Sequence, residues 1–182
     1  MAGVGDHDRA DDNEIEGMLA ANRRWASLLG EGGPAPGVSA RPVRRVAIVS
    51  CMDARLDVHA ALGLRSGDAH VIRNAGGAVT DDVIRSLAIS QRRLGTREVV
   101  LIHHTDCGML TFTDDELRFE IERDTGIRPP WAAEAFVDLD ADVRQSIGRV
   151  VSSPFLPHTE SVRGFVYDVA TGLLREVEPG PA

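Results

Sequence analysis

Residues 46–55 read VAIVSCMDAR and residues 99–109 read VVLIHHTDCGM. Each opens with a short, unbroken apolar run rich in β-branched residues, the pattern of a strand buried on both faces. Each run then ends at side chains with chemistry: Cys51 after Val46–Ser50, and His104 after Val99–His103. Strands of this kind belong to parallel sheets covered by helices, and the residues between the two runs supply a crossover. Thr80 is placed to cap a helix whose first turn carries Asp81 and Asp82, where negative charge suits the helix dipole. Ile84, Leu87, Ala88 and Leu94 form its apolar side, and Gly95 stands where a C′ residue belongs. The pattern predicts an α/β fold with a central, mostly parallel sheet flanked by helices.

Outward from that core, His70–Ile72 reads as a further strand leading into the loop RNAGG, Arg73 to Gly77. His59 falls on a short helix. Asp114–Arg123 and Asp138–Val151 carry helical periodicity, and Gly164–Val169 and Leu173–Val177 flank ATG as a terminal strand or hairpin. Towards the N-terminus, Ile15, Met18, Leu19, Trp25, Leu28 and Leu29 recur at three- and four-residue intervals, which predicts a helix over Glu14–Leu29 stopped by Gly30. The Gly- and Pro-rich stretch Gly30–Pro42 then acts as an arm. An apolar stripe at the end of an arm is expected to pack on another subunit, in a two-fold dimer that exchanges helices.

The chain has 182 residues, 43% of them hydrophobic and 26% charged, which suits one ordinary domain with a real core. Its 20 basic residues are all arginines and face 28 acidic ones, for a net charge of −8. That balance argues against nucleic acid or an anionic membrane as the main partner. The opening MAGVGDHDRADDNE lacks the basic and apolar regions of a signal peptide, and no apolar run approaches the roughly 18 residues of a spanning helix. The expected setting is cytoplasmic. In a reducing compartment the two cysteines, Cys51 and Cys107, are not expected to form a disulfide.

Cys51 in CMDAR and the pair His104 and Cys107 in HTDC form a metal-ligating set. Thiolate and imidazole are the donors zinc prefers, and a His-x-x-Cys step presents both to one ion. Cys51 and His104 also fall at the carboxyl ends of buried strands, the edge where open α/β sheets place their sites. Three ligands point to a catalytic zinc rather than a closed structural one. Asp53 either completes the tetrahedron or stands beside an open fourth position, with Arg55 able to hold its carboxylate in a bidentate pair. The implied chemistry is attack of a zinc-held hydroxide, oriented by that carboxylate, on a small electrophilic carbon. Without a metal, the same residues read as two buried thiols, a satisfied histidine and a loop salt bridge. His103 precedes the ligand on a strand and is expected to face the opposite side as a core residue.

CMDAR and HHTDCGM, with GDAHVIRNAGG between them, resemble the β-class carbonic anhydrases, over the stretch from Val46 to about Met109 and more loosely at the ends. The resemblance implies Zn2+ held by Cys51, His104 and Cys107, and Asp53 with Arg55 as the catalytic dyad. It implies reversible hydration of carbon dioxide to bicarbonate and a proton, in a homodimer or homotetramer whose N-terminal helical arms are exchanged. His70, Ile89 and Pro42 stand where the plant-type branch has an aromatic residue, a tyrosine and a glutamine, so the chain looks closer to the short, archaeal-type branch. The substrate pocket is expected to involve His70, Ala75, Ile89 and Gly108, with His70 as a proton carrier. Carbonyl sulfide or a similar heterocumulene is the alternative substrate on the same metal. A closed zinc module with Asp53 permanently on the ion is the alternative outside enzymes. The expected organisation is a disordered 1–12, a helix and arm over 13–42, a zinc-binding catalytic domain over 43–178 and a tail over 179–182.

Overall fold

The apolar runs Val46–Ser50 and Val99–His103 form adjacent parallel strands. The computed structural model describes residues 14–28 and 39–178. The expectations of a disordered N-terminus, of a helix stop at Gly30, of most of the arm and of a C-terminal tail lie outside the described residues.

The chain divides into two units, Met1–Val38 and Ser39–Ala182. The first contains helix α1 (Glu14–Leu28), which buries none of its residues. Ile15, Met18, Trp25 and Leu28, the apolar stripe read from the sequence, are all exposed.

The second unit runs β1 (Val46–Cys51), α2 (Val58–Leu62), β2 (Ala69–Asn74), α3 (Asp81–Leu94), β3 (Glu98–His104), α4 (Asp114–Thr125), α5 (Leu139–Val151), β4 (Val162–Tyr167) and β5 (Leu174–Val177). The sheet order is β2-β1-β3-β4-β5. The first four strands are parallel, and β5 returns antiparallel to β4. The fold is therefore the α/β, mostly parallel class that the strand patterns predict.

Alternation along the strands sorts the core into two layers. On one face Ala47, Val49, Val99, Leu101 and Val166 meet Val83 and Leu87 of α3 and Val143, Ile147 and Val150 of α5. On the other, Ile48 and Ile102 pack with Leu56, Val58, Met109 and Phe136. Burying each such aliphatic side chain is worth about 1.5–3 kcal/mol, so the two layers together hold the sheet to its covering helices. At Gly164 on β4, a Cβ would overlap Val143 and come within 2.9 Å of Ile147. The bare backbone there lets α5 seat on the sheet.

The helix ends follow the local chemistry. Thr80 accepts from Val83 N and Gly95 closes α3 in the left-handed conformation. Thr113 and Glu116 form a reciprocal capping box at the start of α4, which runs past Arg123 to Thr125 until Gly126 stops it. Strand β2 is longer than His70–Ile72, because all six residues of β1 find a partner along it. Strand β4 starts earlier and ends earlier than Gly164–Val169. The Asp168 carboxylate accepts from Ala170 N and Thr171 N, which turns the chain before Val169 can extend.

Candidate metal centre

Strands β1 and β3 lie side by side with Ser50 paired to Ile102, so their carboxyl ends deliver Cys51 and His104 to one place. Cys107 follows β3 at the head of the turn Gly108–Leu110. All three side chains are buried, and their donor atoms lie within 4.8 Å of one another. His104 Nδ1 sits 2.9 Å from the carbonyl of Thr105, which fixes it as the donor and turns Nε2 inward. That buried Nε2 has no hydrogen-bond partner. A bare imidazole nitrogen facing two sulfurs is costly in a dry interior unless an ion takes the lone pair, and two thiolates with one imidazole are a zinc donor set. The residues fit the metal.

The two thiols are held unequally. Cys51 is pushed well below the usual thiol range, first because the Cys107 thiol contacts its sulfur and then through His104, against the effect of burial. Cys107 is pushed up, by the Cys51 sulfur first and by burial second. The two sulfurs share one site, where a cation would favour the thiolate form of both.

Asp53 Oδ2 lies 3.8 Å from His104 Nε2, beside the donors. Arg55 grips both oxygens of that carboxylate, with Nε at 3.0 Å from Oδ1 and Nη2 at 2.8 Å from Oδ2. The Arg55 backbone N–H adds a third bond to Oδ1 at 2.9 Å. These hydrogen bonds, side chain first and backbone second, hold the Asp53 carboxyl far below the usual carboxylate range. The bidentate Asp53–Arg55 pair expected from CMDAR is formed. With Asp53 engaged by Arg55, three protein donors remain for an ion, the pattern of an open site.

Two residues that the sequence reading passed over complete the surroundings. Arg73, in β2, donates from Nε to the Cys51 carbonyl at 3.0 Å and from Nη2 to the Asp53 carbonyl at 2.7 Å. It clamps the backbone that carries ligand and dyad together. Asp106 meets Arg55 from the far side. The RNAGG and HTDC motifs contain both residues, but nothing in linear spacing tells which carbonyl or guanidinium they reach.

The glycines of RNAGG allow close approach of the backbone. Gly77 has φ +73°, and a Cβ there would lie 3.0 Å from Cys51 N and 3.1 Å from Ile102 O. The turn Ala75–Gly77 is thus pressed beneath the metal-bearing ends of β1 and β3.

The expected pocket residues separate. Ala75 lines an apolar groove of about 630 Å3 with Met52, Met109, Phe112 and Trp131, and Gly108 follows the ligand Cys107. His70 stands at the other end of the sheet. It pairs with Ala47, four positions before the Asn74 that pairs with Cys51, or roughly 13 Å along the strand. Its ring is held by Ser90 Oγ at 2.7 Å and the Ala40 carbonyl at 3.1 Å. The expected proton carrier is therefore far from the donor cluster of its own chain. Ile89 likewise faces away, lining a groove with Ile84, Ala88 and Phe155. Pro42 precedes β1, and its carbonyl accepts from Arg45 N. His103 is fully buried on the α5 face, 3.0 Å from Asp142, as strand alternation predicts.

Residues 46–174 match the family model described as carbonic anhydrase. The chain is 60% identical over 161 residues to beta-carbonic anhydrase 1 of Mycobacterium tuberculosis, covering 88% of this chain and 96% of that protein. It is 35% identical over 157 residues to a carbon disulfide hydrolase of Saccharolobus solfataricus, covering 73% and 77%. A carbonic anhydrase structure from Streptococcus mutans superposes with a TM-score of 0.82 at 45% identity, covering 90% of this chain and 97% of that one.

Proposed function

The chain belongs to the β-class carbonic anhydrases, and on that premise we propose that it is a zinc enzyme hydrating carbon dioxide reversibly to bicarbonate and a proton. The observation that carries this reading is the bare Nε2 of His104, buried between two thiols, with the Asp53 carboxylate 3.8 Å away and turned to Arg55. Cys51, His104 and Cys107 would hold the ion. Bound there, zinc supplies the Lewis acidity that makes water a nucleophile at neutral pH.

The rest of the work falls to the protein. Held far below the usual carboxylate range by Arg55, the Asp53 carboxylate would accept a hydrogen bond from the attacking water and select the lone pair aimed at the carbon of CO2. Arg55 fixes that carboxylate, and Arg73 fixes the loop beneath it. The apolar groove of Ala75, Met52 and Met109 suits a small neutral molecule better than a charged metabolite. A closed module with Asp53 on the ion is the less fitting reading, because Arg55 already satisfies both carboxylate oxygens.

We also propose a homodimer, or a tetramer built from it, in which α1 covers its stripe on a second copy. The exposed Ile15, Met18, Trp25 and Leu28 support this arrangement. A catalytic unit over 43–178 and a cytoplasmic setting belong to the same proposal. Two reduced cysteines side by side as zinc ligands call for a reducing compartment.

Stopped-flow assay of the zinc-loaded protein against CO2, carbonyl sulfide and carbon disulfide is the test. Turnover of CO2 well above that of both sulfur compounds is expected. Preference for either sulfur compound would replace this reading with a hydrolase on the same metal.

A further inference from the structure

Arg55 carries five N–H donors, and its own loop uses only part of them. Nε and Nη2 reach Asp53, two residues away. Nη1 reaches Asp106 Oδ2 at 2.7 Å, and Nη2 also reaches the Asp106 carbonyl at 2.9 Å, across 51 positions of sequence. Asp106 sits between the ligands His104 and Cys107 with φ +55°, one of three non-glycine residues with positive φ among those described. Aspartate is among the few side chains that enter this region readily, and the conformation aims the carbonyl and the carboxylate at the same guanidinium. The Asp106 side chain is 78% exposed, and among the described residues Arg55 is its only side-chain partner.

We propose that Asp106 is a positioning residue for the dyad: it anchors Arg55 to the HTDC loop, and through Arg55 it holds the Asp53 carboxylate away from the metal donors. The inference rests on the carbonic anhydrase reading for its meaning, though not for its geometry. Arg73 clamps only the backbone of the loop, at the Cys51 and Asp53 carbonyls, so an Asp53–Arg55 side-chain pair bonded only to each other would still swing as one body. The oxygen that accepts from Arg55 Nη2 at 2.8 Å is the same Oδ2 that lies 3.8 Å from His104 Nε2. Asp106 ties the other side of the guanidinium to the segment carrying two of the three metal donors, which sets the distance between dyad and cluster. An exposed ion pair adds little to stability, so the effect of Asp106 is one of position.

Two variants and two readouts separate position from folding. Asp106→Gly keeps the left-handed backbone and removes the carboxylate; Asp106→Asn keeps an acceptor without the charge. In zinc-loaded wild type, nitrogen-15 NMR is expected to show hindered, slowly exchanging Arg55 guanidinium signals. In Asp106→Gly they should average, and in Asp106→Asn largely persist. In cobalt-substituted protein, azide binding followed by visible absorption should weaken about tenfold in Asp106→Gly, because Asp53 then competes for the open position. The loss of CO2 turnover should fall on kcat rather than KM and be mostly restored in Asp106→Asn, with Tm unchanged within about 2 °C. Wild-type Arg55 signals and azide affinity in Asp106→Gly would overturn the proposal. A wild type that hydrates no CO2 would overturn the functional reading alone, since the NMR and azide measurements still decide the role of Asp106.

Discussion

Gly77→Ala offers a direct measure of how tightly the metal-bearing strand ends are packed. At φ +73° an alanine pays the left-handed penalty of about 1–2 kcal/mol. The added Cβ also meets Cys51 N at 3.0 Å, Ile102 O at 3.1 Å and Ser50 C at 3.1 Å. All three are backbone atoms of central strands and cannot turn aside as a side chain would, so overpacking adds about 1–3 kcal/mol. The total comes to about 2–5 kcal/mol. Gly95→Ala is the control: its φ is +79°, and nothing lies within 4 Å of its Cβ, so only the backbone penalty applies. Urea unfolding of both variants isolates the packing term as their difference, expected at about 1–3 kcal/mol. A loss of 3 kcal/mol should lower Tm by about 6–12 °C in a chain of this size. Relief of the contact displaces Cys51, so zinc affinity in a chelator competition should fall for Gly77→Ala and stay at the wild-type level for Gly95→Ala. Equal stability and equal zinc affinity in the two variants would refute the packing argument.

Other outcomes follow from the same geometry. Elemental analysis should find about one zinc per chain, and Cys107→Ser should lose the metal and unfold at lower denaturant, because binding is coupled to folding; folded, active protein free of metal would contradict the ligand set. Asp53→Asn should keep the metal yet lose about 10–100-fold in kcat, read by stopped flow, and a near wild-type rate would reduce the dyad to a loop salt bridge. The paired bonds from Arg175, at 2.6 and 3.0 Å, hold Asp140 below the usual carboxylate range. A depressed folded value gives stability that is full above the unfolded pKa, about 3.9, and is lost as pH falls through the folded one. The Tm gap between wild type and Asp140→Asn should therefore be constant above about pH 5 and close in more acid solution. Deleting residues 1–40 should give monomer or aggregate by light scattering, whereas a dimeric, active truncation would remove α1 from the interface.

The parallel core was legible because strands buried on both faces must be continuously apolar, and Val46–Ser50 and Val99–His103 are. Cys51, Asp53, Arg55, His104 and Cys107 were legible for a related reason: each lies within a few residues of such a strand end, so local spacing carries their geometry. Arg73 and Asp106 were not, because their partners are backbone carbonyls and a guanidinium brought close only by strand pairing. His70 misled because its nearness to RNAGG in sequence spans most of a six-residue strand, which separates its two ends in space. The helix α4 and the turn after β4 show the finer limit: Gly126 and the Asp168 carboxylate fix the ends, and apolar periodicity does not register either.

The seam between β1 and β3 can also be viewed as a cross-linked junction. Cys51 ends one strand, His104 ends the other with Cys107 just beyond it, and Arg55 and Asp106 bridge the same two segments across 51 positions. An ion gripping both sides closes a loop of about 50 residues, and a covalent staple over such a loop is worth about 4 kcal/mol through the entropy it removes from the open chain. His104 and Cys107, three residues apart, are near each other at any stage of folding, whereas Cys51 joins them only after the sheet has zipped. Completion of the metal site therefore requires the pairing of β1 with β3, which alone brings Cys51 to the other two donors.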